Sequence, residues 1–158
     1  MALPSGLIGM GSITVRRLVL GLFIAVGLFH AWGYFAPETW YRTFPGIGRG
    51  WLERLGPYNE HLMKDYVSMF MAMTVLTAAA WRYIDSDRFV QTAGASWLTF
   101  NVFHLIYHVQ HLDMYSTGEK ITMVSVLSLL TLASAVLLAP APRRKATADD
   151  DGKVLRTQ

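Results

Sequence analysis

The side chains best suited to binding a metal or moving a proton are five histidines, at positions 30, 61, 104, 108 and 111, with Asp65 and Asn101 near them in the pattern. Asn101, His104, His108 and His111 recur at spacings of three, four and three residues. On a helix turning by about 100° per residue they share one face, within an arc of roughly 80°. His61 and Asp65 form a second pair four apart, and Ser68 continues their face. Imidazoles at this spacing suit a transition metal or haem, with Asp65 as a further ligand or an orienting carboxylate. The metal candidates are therefore His61, Asp65, His104, His108 and His111. His30, Asn101 and His104 are the candidates for holding a cofactor. In a quinone-binding or proton-handling pocket, His104 or His30 would exchange protons with Asp65. Against both stands a structural reading in which the imidazoles hydrogen-bond between helices and the last two sit in the headgroup layer. That reading carries the most weight, because pairs four apart are common on helices. The run also lacks the glutamate of a metalloprotease signature.

These residues need elements to position them, and the composition says which. Of 158 residues 53% are hydrophobic, and the mean hydropathy is +0.30, too apolar for an ordinary soluble domain. The apolar residues fall in blocks near the roughly 20 residues that a helix needs to cross a bilayer. Spans are predicted at 18–35, 61–83, 89–112 and 121–139, with the first behind Arg16 and Arg17 and the last ending at Pro140 and Pro142. A cleaved leader would also begin with arginines, but the first apolar run continues into Trp32, Tyr34 and Phe35, as a retained span does. Residues 36–59 carry Trp40, Tyr41, Trp51 and Tyr58 among prolines and glycines, which suits a structured interfacial loop with a short amphipathic helix around 47–55. Short links at 84–88 and 113–118 make neighbouring helices antiparallel. The tail at 141–158, with Arg143, Arg144, Lys145 and an acidic run at 149–151, reads as disordered and solvated. The expected fold class is all-α, a four-transmembrane-helix antiparallel bundle with an extracytoplasmic aromatic loop.

Orientation follows from lysine and arginine. Nine fall on the side of the termini and five on the side of the aromatic loop, which places both termini in the cytoplasm. The net charge of +3 comes from residues flanking apolar blocks instead of one basic face, so nucleic acid is not an expected partner. On this topology no histidine is near the cytoplasmic side. At about 1.5 Å per residue, His30 lies roughly 18 Å along the first span and His104 about 24 Å beyond Arg88. Together with Glu60 and Asp113 they define a polar layer in the outer leaflet.

Other residues carry ordinary roles. Met69 and Met73 share a face and could bind copper(I), but methionine in an apolar helix usually packs. Lys64 snorkels to the interface. Ala78, Ala79, Ala80, Gly94, Ala95 and Ser96 permit close helix contact. With no cysteine the chain has no disulfide and no thiolate site. No nucleophile has a clear partner, so no catalytic residue is assigned. Membrane desaturases and hydroxylases use more histidines than this chain has and place them on the cytoplasmic side, which sets them aside.

The segment from Leu55 through Gly56, Pro57, Tyr58, Asn59 and Glu60 to His61, with Phe103, His104, Leu105, Ile106, Tyr107, His108, His111, Leu112 and Asp113, resembles small four-helix bacterial membrane proteins. These are loosely grouped as DoxX-like, and the version here is similar to actinobacterial examples from Arg16 to Pro140. The resemblance implies a multi-pass protein of the bacterial plasma membrane. The family name comes from a subunit associated with quinone-linked thiosulfate oxidation, although no cysteine here supports a thiol step. The expected function is an accessory or binding subunit, with the lipid bilayer and a membrane protein or a second copy as partners. The alternative is a metal-, haem- or quinone-linked membrane oxidoreductase. A transporter ranks third, since four spans would need a dimer to enclose a path.

Overall fold

The computed structural model describes residues 11–46 and 48–141. The expected disordered tail beyond Ala141, with its basic and acidic runs, lies outside the described residues, as does Ile47. Among the described residues the chain is all-helical, with α1 (Ile13–Phe35), α2 (Pro37–Thr43), α3 (Glu60–Arg82), α4 (Asp87–Gln110) and α5 (Thr117–Val136). The four long helices cover the four apolar blocks, but each begins one to five residues earlier than hydropathy alone places it. Polar caps explain the shift. Ser12 accepts from Val15 N at 3.3 Å, Asn59 accepts from Leu62 N at 3.1 Å, and Ser116 forms a reciprocal capping box with Glu119.

The loop between α1 and α3 differs from expectation. Its helix is α2, opened by Pro37 at the first helical position, while among the described residues of 47–55, predicted to be helical, only a single 3₁₀ turn at Glu53–Leu55 forms. Gly46, Gly48 and Gly50 have φ values of 114°, 65° and 59°, a left-handed backbone that a helix cannot use.

The long helices pack antiparallel. Against α3, α1 sets Arg16 beside Ile84, Gly27 beside Thr74 and Gly33 beside Val67. Thr77 of α3 meets Trp97 of α4, and α4 runs along α5 through Gly94 at Leu137 and Asn101 at Ser134. Among the described residues, α1 and α5 do not pack along their length. They are joined at one end, where Arg16 Nη2 donates to Ala139 O at 3.0 Å.

Polarity is partly inside out. Arg16, Thr77, Asn101 and Ser134 are buried, while Leu18, Phe35, Val75, Phe103, Leu129 and Leu132 are exposed. Two helices, α1 and α5, are long and apolar enough to cross a membrane, and only 28% and 17% of their apolar windows are buried. A core helix of a soluble protein would bury most of such a window. α3 and α4 fall short of the same measure. α3 opens with Glu60, Lys64 and Asp65, and α4 begins with Asp87 and Arg88 and carries Asn101 and its histidines.

Candidate functional site

The α1–α3 contact decides where His30 points. A Cβ at Gly27 would lie 1.8 Å from Thr74 Oγ1, and one at Gly33 would lie 3.0 Å from Trp40, so both glycines admit close neighbours. His30, between them on the same face, is carried against α3. Its ring stacks on Phe70 with centroids 4.0 Å apart and a 15° tilt. His30 Nδ1 lies 2.7 Å from Val26 O. A carbonyl can only accept, so Nδ1 holds the proton and Nε2 is left as an acceptor.

On α4, His104 stacks on Phe100 at 5.1 Å, and its ring meets His108 edge-on at 4.5 Å. Asn101 Nδ2 donates to Ser134 Oγ at 2.9 Å, and Ser134 donates onward to Leu130 O at 2.8 Å. Asn101 Nδ2 also lies 3.5 Å from Leu130 O, so the amide's donors are engaged, while its carbonyl oxygen has no partner among the described residues.

His30, Asn101, His104 and His108 line one cavity of about 300 Å³. Phe70 and Trp97 form much of its inner wall, and Val126, Leu127 and Leu130 of α5 close another side. Trp97 is held by stacking on Phe23 at 4.5 Å and by donating Nε1–H to Thr77 Oγ1 at 2.8 Å. Tyr66 of α3 also lines the cavity, its ring 5.7 Å from that of His30 and 4.8 Å from that of Phe70.

The loop supplies the cover, through Phe44, Pro45, Trp51 and Leu52. Three contacts hold it to the end of the helices. Trp51 Nε1 donates to Glu119 Oε1 at 3.1 Å, Arg54 Nη1 donates to Glu119 Oε2 at 2.9 Å, and Tyr115 Oη donates to Trp51 O at 2.8 Å. Burial pushes the Tyr115 hydroxyl above its ordinary pKa, so it keeps the proton that this bond requires.

The three residues expected to hold a cofactor, His30, Asn101 and His104, therefore share one space. The five expected to ligate a metal do not. His61 Nε2 pairs with Asp65 Oδ2 at 3.5 Å on the outside of α3, with side chains 87% and 64% exposed. His111 follows the last residue of α4, bonds Nδ1 to Tyr107 O at 2.8 Å and stacks on the Tyr107 ring. Among the described residues, no group of three or more His, Cys, Asp or Glu side chains comes close enough to hold an ion. The reason is the rotation of α3. Its buried stripe is Met63, Val67, Phe70, Thr74 and Thr77, which seats apolar rings and the threonines against α1 and α4. The polar His61 and Asp65 then fall on the opposite side, where they stay hydrated, and Asp65 is out of reach of a proton exchange with the cavity.

Tyr66, Phe70, Trp97 and Trp51 are site residues that histidine spacing does not reveal. The signal for α3 was the pair Thr74 and Thr77 inside an otherwise apolar run, which marks an inward face. His108 Nδ1 is buried with no hydrogen-bond partner among the described residues. Trp40 Nε1 and Arg16 Nε share that condition, but neither residue lines the cavity. Buried polar atoms are rarely left so, and this one is closed off by the packing of the His108 ring. The cavity lining thus includes four side chains able to hydrogen-bond besides the His30 ring with its free Nε2: Asn101, Tyr66, His104 and His108. Comparison with protein-family models, curated proteins and solved structures finds no match.

Proposed function

We propose that this chain is a small plasma-membrane protein with four spans and cytoplasmic termini, and that its bundle is a binding subunit whose cavity takes a flat, ring-bearing lipophilic molecule. The observation that carries the reading is the cavity of about 300 Å³ with His30, Asn101, His104 and His108 on otherwise apolar, largely aromatic walls. Pockets of this composition are the usual form of small-molecule sites. An apolar cavity of about 150 Å³ admits one benzene, so this one suits two fused rings. The exposed apolar flanks of the helices and the charged residues gathered toward their ends support the four-span topology.

Within the redox alternatives, volume and donor set favour a quinone head. Its carbonyl oxygens match the donors at Tyr66 and a protonated imidazole nitrogen, and the hydroxyls of the reduced form match the acceptors at His30 and Asn101. Haem, with four pyrrole rings, is larger than the space, and His104 and His108 lie on the same helix and not on opposite sides of a ring plane. The chain has no cysteine, so electrons for a quinone would come from a redox partner in the same complex. This agrees with the accessory role that the resemblance to DoxX-like proteins implies.

The test uses the cavity's own tryptophans. In detergent, 1,4-naphthoquinone should quench fluorescence saturably in the wild type, and Asn101→Leu with His104→Leu should weaken that binding at least tenfold while the helical content is retained. Non-saturable quenching of equal size in both proteins would sink the cavity reading. A stoichiometric metal or a haem absorption band, lost in His104→Ala with His108→Ala, would move the assignment to a metal or haem centre.

A further inference from the structure

The cavity has a side that no helix closes. α1 and α5 contribute walls to it but, among the described residues, do not pack along their length, and the bond from Arg16 to Ala139 joins them only at the far end. Phe29 on α1 and Val126 on α5 both line the cavity, yet they are 47% and 49% exposed. A residue that faces an internal space and the outside at once marks an opening. The rim is apolar, and the two helices flanking it are the two long and apolar enough to cross a membrane. On its other sides the cavity is bordered by α3 and α4 behind and by the pinned loop with Trp51 above.

We infer that this gap is a lateral portal, through which the cavity is loaded from the bilayer, and that the ligand is a membrane lipid with a ring-bearing head and a long apolar tail left lying between α1 and α5. The inference rests on the cavity reading above and adds the route and the tail. A water-dissolved ligand would gain nothing from an entrance facing hydrocarbon. A tailed one reaches the site without leaving the membrane, and its tail covers apolar rim that a tailless head leaves to lipid.

Two probes separate the portal from the cavity: 1,4-naphthoquinone, and a naphthoquinone carrying a long isoprenoid chain. Each is titrated by tryptophan quenching into wild type, Val126→Trp, Phe29→Trp and the lipid-facing control Leu132→Trp. Partition of a probe into micelles is common to all variants, so the ratio of variant to wild-type affinity removes it. Val126→Trp should weaken the tailed probe at least tenfold more than the tailless one, and Leu132→Trp should move neither. Phe29→Trp, on the opposite rim, should repeat the effect and serves if Val126→Trp does not fold. Equal weakening of both probes, or of neither, would overturn the portal while leaving the cavity reading standing. Failure of both probes to bind wild type would overturn the two together. Conversion of a dimer to a monomer by Val126→Trp would assign the gap to a second copy of the chain and also overturn the portal.

Discussion

The two ends of the helix array solve opposite problems. At the Arg16 end the helices are drawn together around one buried guanidinium. Arg16, 1% exposed, pairs with Asp87 at the start of α4, donates to Ile84 O beyond α3 at 3.2 Å and to Ala139 O beyond α5 at 3.0 Å. Asp87 also accepts from Ala141 N at 3.0 Å, so the ends of all four long helices are tied at one point. Gly94 lets α5 approach α4 so closely that a Cβ there would lie 2.6 Å from Leu137 Cβ. At the histidine end α1 still lies close against α3 at Gly33 and Val67, but rings from α1, α3 and α4 line a space that they do not fill. The contrast teaches that polar groups serve two purposes here: at one end Arg16 and Asp87 pair with each other and with the backbone, Arg16 Nε alone being left over, and at the other the histidines and Asn101 border an empty space.

Breaking the tied end should give the largest effect. Arg16→Leu leaves two carbonyls without this donor and Asp87 with only the Ala141 N–H, and it should cost about 3 kcal/mol, below the top of the range for buried pairs because Asp87 is partly hydrated. The check is the thermal unfolding midpoint in detergent, with Arg16→Lys falling between. An unchanged midpoint would remove the contrast between the ends. Next in size, Gly94→Ala should cost about 1–3 kcal/mol, because the added methyl meets a Cβ and a backbone oxygen and neither can swing aside. It should push α5 outward and show as faster proteolysis as well as a lower midpoint. The smallest effect belongs to the cover over the cavity. Glu119→Gln weakens the hold on Arg54 and should leave the unfolding midpoint nearly unchanged, since Arg54 is exposed to water. It should nevertheless speed cleavage by trypsin at Arg49 and Arg54, and it sharpens the comparison if that rate rises while the midpoint stays in place.

How much of this was legible in the sequence varies with the kind of pattern. Helix bodies followed from apolar runs, and their true starts, one to five residues earlier, could have been read from Ser12, Asn59 and Ser116, which are capping residues. On α4, spacing alone brought Asn101, His104 and His108 to one face, as observed. The same arithmetic included His111, which fails because α4 ends at Gln110 and the helical period ends with it. On α3, the visible His61–Asp65 pair suggested an inward face that the helix turns outward, since its apolar stripe outweighed a pair that water already satisfies. The loop was misjudged where glycine conformation decides the path.

The sequence by itself determined the all-helical class, the positions of the four long helices and the identity of the polar groups available to a site. Those are local properties, set by run length, capping and periodicity within one segment. Only the tertiary structure decided which face of α3 turns inward, that His30 joins the α4 histidines while His61 does not, and that the space between them is open toward α1 and α5. Such outcomes depend on how close two helices can come, and that is set by pairs distant in sequence, such as Gly27 with Thr74, Gly94 with Leu137 and Arg16 with Asp87.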